Sequence, residues 1–131
     1  MITEDYVSLE IAKLLKGKGF DEYCFATYST EIGDFITVGP IKNSEIDADK
    51  DDTYICTAPT HQMVMKWLRE IKNIEIDVSL SALNADGTKE YMYDVFFTDE
   101  RYIENAKIKA GFKTYEEAVE AAIKYCLTDL I

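Results

Sequence analysis

Hydrophobic and polar residues alternate along this chain with two clear periods, and the switches between them mark out its elements. Val7, Ile11, Leu14 and Leu15 recur at helical spacing, and Gly17 and Gly19 close the segment. Thr3, followed by Glu4 and Asp5, is the expected N-cap of this first helix. Residues 22–28 and 35–39 are short and rich in aromatic and β-branched side chains, with Gly33 between them, which predicts a hairpin. Residues 53–57 predict a third strand. Pro59 then opens a second helix, with Met63, Val64, Trp67, Leu68 and Ile71 as its apolar stripe.

The period changes to two at residue 74. Ile74, Ile76, Val78, Leu80 and Ala82 alternate with Glu75, Asp77, Ser79 and Ser81, the mark of a strand with one buried face. Residues 84–87, Asn-Ala-Asp-Gly, predict a turn, and 90–97 a return strand with Tyr91, Tyr93, Val95 and Phe97 on one face. Residues 98–113 fit a short helix capped by Asp99 or an ordered loop. Thr114 and Glu117 form a capping box ahead of a long stripe: Tyr115, Ala118, Val119, Ala122, Ile123, Cys126, Leu127 and Leu130.

The predicted order is α-β-β-β-α-β-β-α. It implies an α+β fold in two layers: a mostly antiparallel sheet of about five strands with three helices on one face. At 131 residues the chain is expected to form a single domain, 1–131.

Charge changes the picture next. The net charge of −11 disfavours nucleic-acid and anionic-membrane partners, because phosphates repel it. The first ten residues carry three acids and no base, unlike a signal peptide, and no apolar run approaches the ~20 residues that cross a bilayer. Cys24, Cys56 and Cys126 are odd in number, lack a C-x-x-C spacing and lie in apolar segments, as free thiols do in a reducing cytoplasm. A cytoplasmic location is therefore expected.

Candidate chemistry is sparse. Asp47, Asp49 and Asp51 have the spacing that opens a calcium loop, but its sixth and twelfth positions hold Asp52 and Ala58 instead of glycine and glutamate. A solvated loop is the simpler reading of residues 45–52. Acids spread over the chain allow a DNA-mimicking inhibitor as an alternative. His61 is the sole histidine, five residues after Cys56; a core cysteine and a surface histidine are expected rather than a catalytic pair. Asp94, within an apolar strand, is expected on the wet face. Phosphate-cradling glycine loops and familiar hydrolase motifs are absent from the sequence, so neither catalytic residues nor a cofactor are assigned. The nine tyrosines exceed what the helix stripes need, and Tyr23, Tyr91 and Tyr93 are candidates for a partner-binding surface. The reading is a non-enzymatic protein that binds another protein or itself; a small enzyme with an unfamiliar pocket is the other alternative.

Three stretches also carry a resemblance. Residues 1–22 (MITEDYVSLEIAKLLKGKGFDE), 56–74 (CTAPTHQMVMKWLREIKNI) and 113–131 (KTYEEAVEAAIKYCLTDLI) resemble, in that order, a family of short proteins encoded by gut bacteria, their phages and integrated mobile elements. Roughly half the chain is covered, without the acidic run or residues 84–112. The family has no assigned activity or site, so the resemblance implies only an accessory role toward host machinery.

Overall fold

The computed structural model describes residues 2–29, 34–46, 54–102 and 107–131. The chain is α+β, with three α-helices and six strands among the described residues, in two three-stranded antiparallel sheets. It divides into two compact units: residues 1–60 with Ile131, and residues 61–130.

In the first unit, α1 (Leu9–Gly17) precedes β1 (Cys24–Ser29), β2 (Phe35–Ile41) and β3 (Tyr54–Thr57). The sheet order is β2-β1-β3. Helix α1 starts five residues later than Thr3 would place it. Ser8 is the N-cap, and its hydroxyl accepts from the Ile11 amide at 3.3 Å. Ahead of it, Tyr6 forms an antiparallel bridge with Thr60, and the Val7 amide donates to the Pro59 carbonyl at 3.0 Å. Val7 is fully buried as an extended residue, so its hydrophobicity counted toward a helical stripe it does not join. Ile11, Ala12, Leu15, Phe20, Cys24, Ala26, Cys56 and Ala58 are buried with it.

A polar bracket holds the unit's irregular part. Asn43, in a 3-10 turn (Asn43–Glu45), is buried; its Nδ2 donates to the Phe20 carbonyl at 2.8 Å, and its Oδ1 accepts from the Thr57 amide at 2.9 Å. One side chain thus joins the loop after α1 to β3. Lys16, in the last turn of α1, donates from Nζ to the Ile55 carbonyl at 2.8 Å.

In the second unit, α2 (His61–Ile71) leads to β4 (Ile74–Leu83), β5 (Lys89–Phe97), β6 (Lys107–Phe112) and α3 (Tyr115–Tyr125), which runs into a π-helical turn at Cys126–Leu130. The sheet order is β4-β5-β6, with α2 and α3 packed against it. The capping box forms at α3: the Glu117 amide donates to Thr114 Oγ1 at 3.0 Å, and Glu117 Oε2 accepts from the Lys113 amide at 3.2 Å. Val64, Trp67, Leu68, Ile74, Ile76, Val95, Phe97, Ala118, Val119, Ala122, Ile123, Cys126 and Leu127 form the core.

Three expectations are corrected in this unit. Strand β6 occupies the segment expected to be a helix or loop, so the order gains a strand and the single five-stranded sheet gives way to two sheets. The burial of β4 fails beyond Val78: Leu80 is 49% exposed and Leu83 68%. Tyr91 pairs with Phe112 at the end of β6, so the β4–β5 ribbon beyond it is two-stranded and projects away from cover. Ile71, placed on the buried stripe of α2, is 58% exposed at the helix's end.

Candidate functional site

The site grows from the pairing of β5 with β6. Lys107 lies opposite Val95 and Lys109 opposite Tyr93, so both lysines share the sheet face that carries the core residues of β5. Between Tyr91 and Tyr93 the register slips by one residue on the β6 side. Gly111, at φ +93°, takes up the slip in a conformation that L side chains rarely adopt.

Helix α3 lies against this face and brings Ala121, Lys124 and Tyr125; the π-helical turn adds Thr128 and Asp129. Positions 121, 124, 125 and 128 recur at i, i+3, i+4 and i+7, one stripe of the helix surface beside the buried one. The result is a groove of about 580 Å³, lined by Tyr93, Lys107, Lys109, Lys124, Tyr125 and Asp129 among others. Its size suits a small ligand or one side chain of a peptide.

Aromatic rings form the floor. Tyr93, only 3% exposed, stacks on Phe112 with centroids 5.7 Å apart and on Tyr125 at 6.4 Å. Lys107 Nζ lies 5.6 Å from the Tyr125 ring centroid, and Lys109 Nζ 5.9 Å from that of Phe112. Burial raises the Tyr93 phenol, reinforced by Tyr125, Cys126 and Asp129; burial also raises Tyr125, helped by Asp129 and Cys126. Both phenols therefore remain hydrogen-bond donors at neutral pH. The Thr128 hydroxyl donates to the Lys124 carbonyl at 2.8 Å, which satisfies a helix-end acceptor. Among the described lining residues, three lysines and two tyrosines accompany one carboxylate, Asp129, in a chain whose net charge is −11.

The sequence-predicted candidates scatter. Tyr93 forms the groove floor. Tyr91 is half-buried, edge-on to Tyr115 at 6.1 Å. Tyr23 is 53% exposed in the other unit, beneath Lys42 Nζ at 5.2 Å. Asp47, Asp49 and Asp51 lie outside the described residues. Asp94 is half-buried on the outer sheet face, directly opposite Asp77.

The thiols and the histidine are occupied with structure. All three cysteines are buried. Burial pushes Cys56 up to about 11, against the pull of Lys16 and Lys13, and Cys126 up to about 12. Thiols so hard to ionise are poor nucleophiles. His61 is not at the surface, as expected, but 8% exposed, and its Nε2 meets Glu120 Oε2 at 2.6 Å. The first residue of α2 is thus tied to Glu120 of α3, a long-range pairing that no local pattern announces.

Lysines 107 and 109 were missed because alternation of lysine with Ile108 and Ala110 looks like a strand turned inside out. The detectable signal was the period itself, irrespective of which set was polar. Among the described residues no helix is long and apolar enough to cross a membrane. No family model, curated protein or solved structure matches the chain.

Proposed function

We propose that this is a non-enzymatic cytoplasmic accessory protein, of phage or mobile-element type, that binds another protein. The groove between β6 and α3 receives a negatively charged segment of that partner. One observation carries the reading: three lysines converge over a tyrosine floor in a strongly acidic chain. Elsewhere the excess of acids repels anions, so the groove is where an acidic segment gains attraction and apolar cover together. Lysines on an edge strand also guard against edge-to-edge pairing, and that role alone would need no aromatic floor. The buried, weakly acidic thiols support a binding protein over a thiol enzyme. The resemblance to phage and mobile-element proteins agrees with an accessory role.

The test is affinity capture from host lysate with the wild-type chain and with a Lys107→Glu/Lys109→Glu variant, at low and high salt. Both lysines are exposed, so the variant keeps the core. A partner held by the wild type, lost from the variant and released by salt is expected. Identical captured proteins with both chains would refute the reading.

A further inference from the structure

Independently of the groove, the geometry points to a second copy of this chain as the partner of one sheet edge, that of β4. Among the described residues the two sheets end in four edge strands: β2, β3, β4 and β6. An open edge invites pairing, and proteins guard it with short length, lysine, proline or a bulge. Strand β3 has four residues, β2 carries Gly39 and Pro40, and β6 carries Lys107, Lys109 and Gly111. Strand β4 is ten residues long and holds no lysine, arginine, proline or glycine. Its acids, Glu75 and Asp77, guard it against some pairings only, and its Asp77, Ser79, Leu80 and Ser81 are exposed.

The phase of the β4–β5 hydrogen bonds fixes which backbone groups are free. The Thr98 amide donates to the Asn73 carbonyl at 2.8 Å, one step beyond the Ile74–Phe97 pair. Bonded and unbonded pairs alternate along an antiparallel ladder. Glu75, Asp77 and Ser79 therefore bond to β5, and the N–H and C=O groups of Ile76, Val78 and Leu80 point to the open edge. A bulge between Leu80 and Ala82 ends this run. The Asn84 amide donates to the Thr88 carbonyl at 2.8 Å, so by the same alternation Ala82 faces β5. The free groups are centred on Val78. A two-fold axis there pairs Val78 with the second copy's Val78, and Ile76 with its Leu80.

The acids and the bulge select that register. It sets Asp77 of one copy opposite Ser79 of the other, a carboxylate against a hydroxyl donor. Leu80, 49% exposed, gains an apolar neighbour in the second copy's Ile76. An axis at Asp77 opposes Asp77 to itself, and one at Ile76 opposes Glu75 to Asp77; like charges disfavour both. An axis at Ser79 or Leu80 brings Ala82 opposite Ile76 or Val78 and loses bonded pairs, because the Ala82 backbone is turned the other way.

The experiment weighs the intact chain by light scattering after size exclusion, from about 10 µM to about 1 mM protein, where the mass should rise from one chain to two. Added salt should tighten the dimer, because each copy carries a charge of −11 and screening weakens their repulsion. A partner held in the groove responds to salt in the opposite sense, so the two sites are told apart. Amide exchange at Ile76, Val78 and Leu80 should slow at least about tenfold between low and high protein concentration, while Asp77 and Ser79 are protected at both. Val78→Pro removes an edge N–H that β5 does not use and should abolish the dimer. Ser79→Asp, at an exposed position, creates two opposed like-charge pairs across the axis and should weaken the dimer about tenfold; Ser79→Lys should tighten it by a similar factor. If Val78→Pro does not fold, the Ser79 variants and the exchange pattern decide. A one-chain mass at about 1 mM, a dimer indifferent to the Ser79 charge, or a dimer without alternating protection along β4 would overturn the inference.

Discussion

Truncating Asn43 to alanine should destabilise the first unit far more than the loss of a small polar side chain suggests. The amide acts twice, donating to the Phe20 carbonyl at 2.8 Å and accepting from the Thr57 amide at 2.9 Å. Phe20 is 1% exposed and Thr57 0%. Asn43→Ala therefore removes one donor from the buried Phe20 carbonyl and the side-chain acceptor from the buried Thr57 N–H, at about 1–3 kcal/mol for each buried group affected. A shallow groove lined by Lys16, Gly19, Phe20, Asp21 and Ser44 adjoins Asn43, so water can reach part of the vacated space. The expected loss is then toward the lower end, about 2–3 kcal/mol. With a urea slope of about 1.5 kcal/mol/M, the midpoint should fall by roughly 1.5–2 M. Amide exchange in β1 and β3 is the right probe, since the sole tryptophan, Trp67, belongs to the second unit. Asn43→Asp keeps the acceptor for Thr57 but sets a carboxylate against the Phe20 carbonyl. It should be destabilised at neutral pH and partly rescued at low pH, where the neutral acid can donate. A loss below about 0.5 kcal/mol for Asn43→Ala, or equal stability of Asn43→Asp at both pH values, would refute the bracket.

Other outcomes follow from single sites. Gly111→Ala meets no atom within 4 Å, so its cost is conformational, from φ +93°; about 1–2 kcal/mol should appear in thermal melts of the second unit. Cys126 and Cys56 are raised in the folded state, so the unfolded chain ionises first. Stability should decline as pH rises above the ordinary thiol value of 9.0 toward about 11 and 12, and denaturation at pH 8 and 10 measures it. Asp99 is held at about 2 by hydrogen bonds from Arg101, so carbon-detected titration should place its midpoint well below that of an ordinary aspartate; any stability it adds is present above the unfolded value and lost as pH falls through about 2. Asp77 and Asp94 are directly opposed across β4 and β5, and Asp77→Thr should raise stability by roughly 0.2–1 kcal/mol.

The capping box at Thr114 and Glu117 and the alternation of residues 74–78 and 91–97 were legible because each is a local rule. A cap needs its own turn, and a strand facing a core needs only its own period. The start of α1 was misplaced because Val7 is buried either way, and hydrophobicity alone does not distinguish a helical from an extended neighbour. Strand β6 escapes for the opposite reason: the residues on the α3 side are lysines, and its apolar set, Ile108 and Ala110, is exposed, so its alternation runs against the usual rule. Tyr93 was singled out by composition, but nothing in the sequence joined it to Lys107, Lys109, Lys124 or Tyr125.

By itself, then, the sequence determined the α+β composition, most helix and strand positions, the acidic charge and the free thiols, all of which depend on neighbours within a few residues. Only tertiary structure decided that the six strands among the described residues divide into two sheets, that His61 meets Glu120, and that lysines from a strand and a helix line one groove with Tyr93 and Tyr125. Those outcomes turn on which distant surfaces exclude water from each other, and the free energy of that choice belongs to pairs of segments rather than to either segment alone.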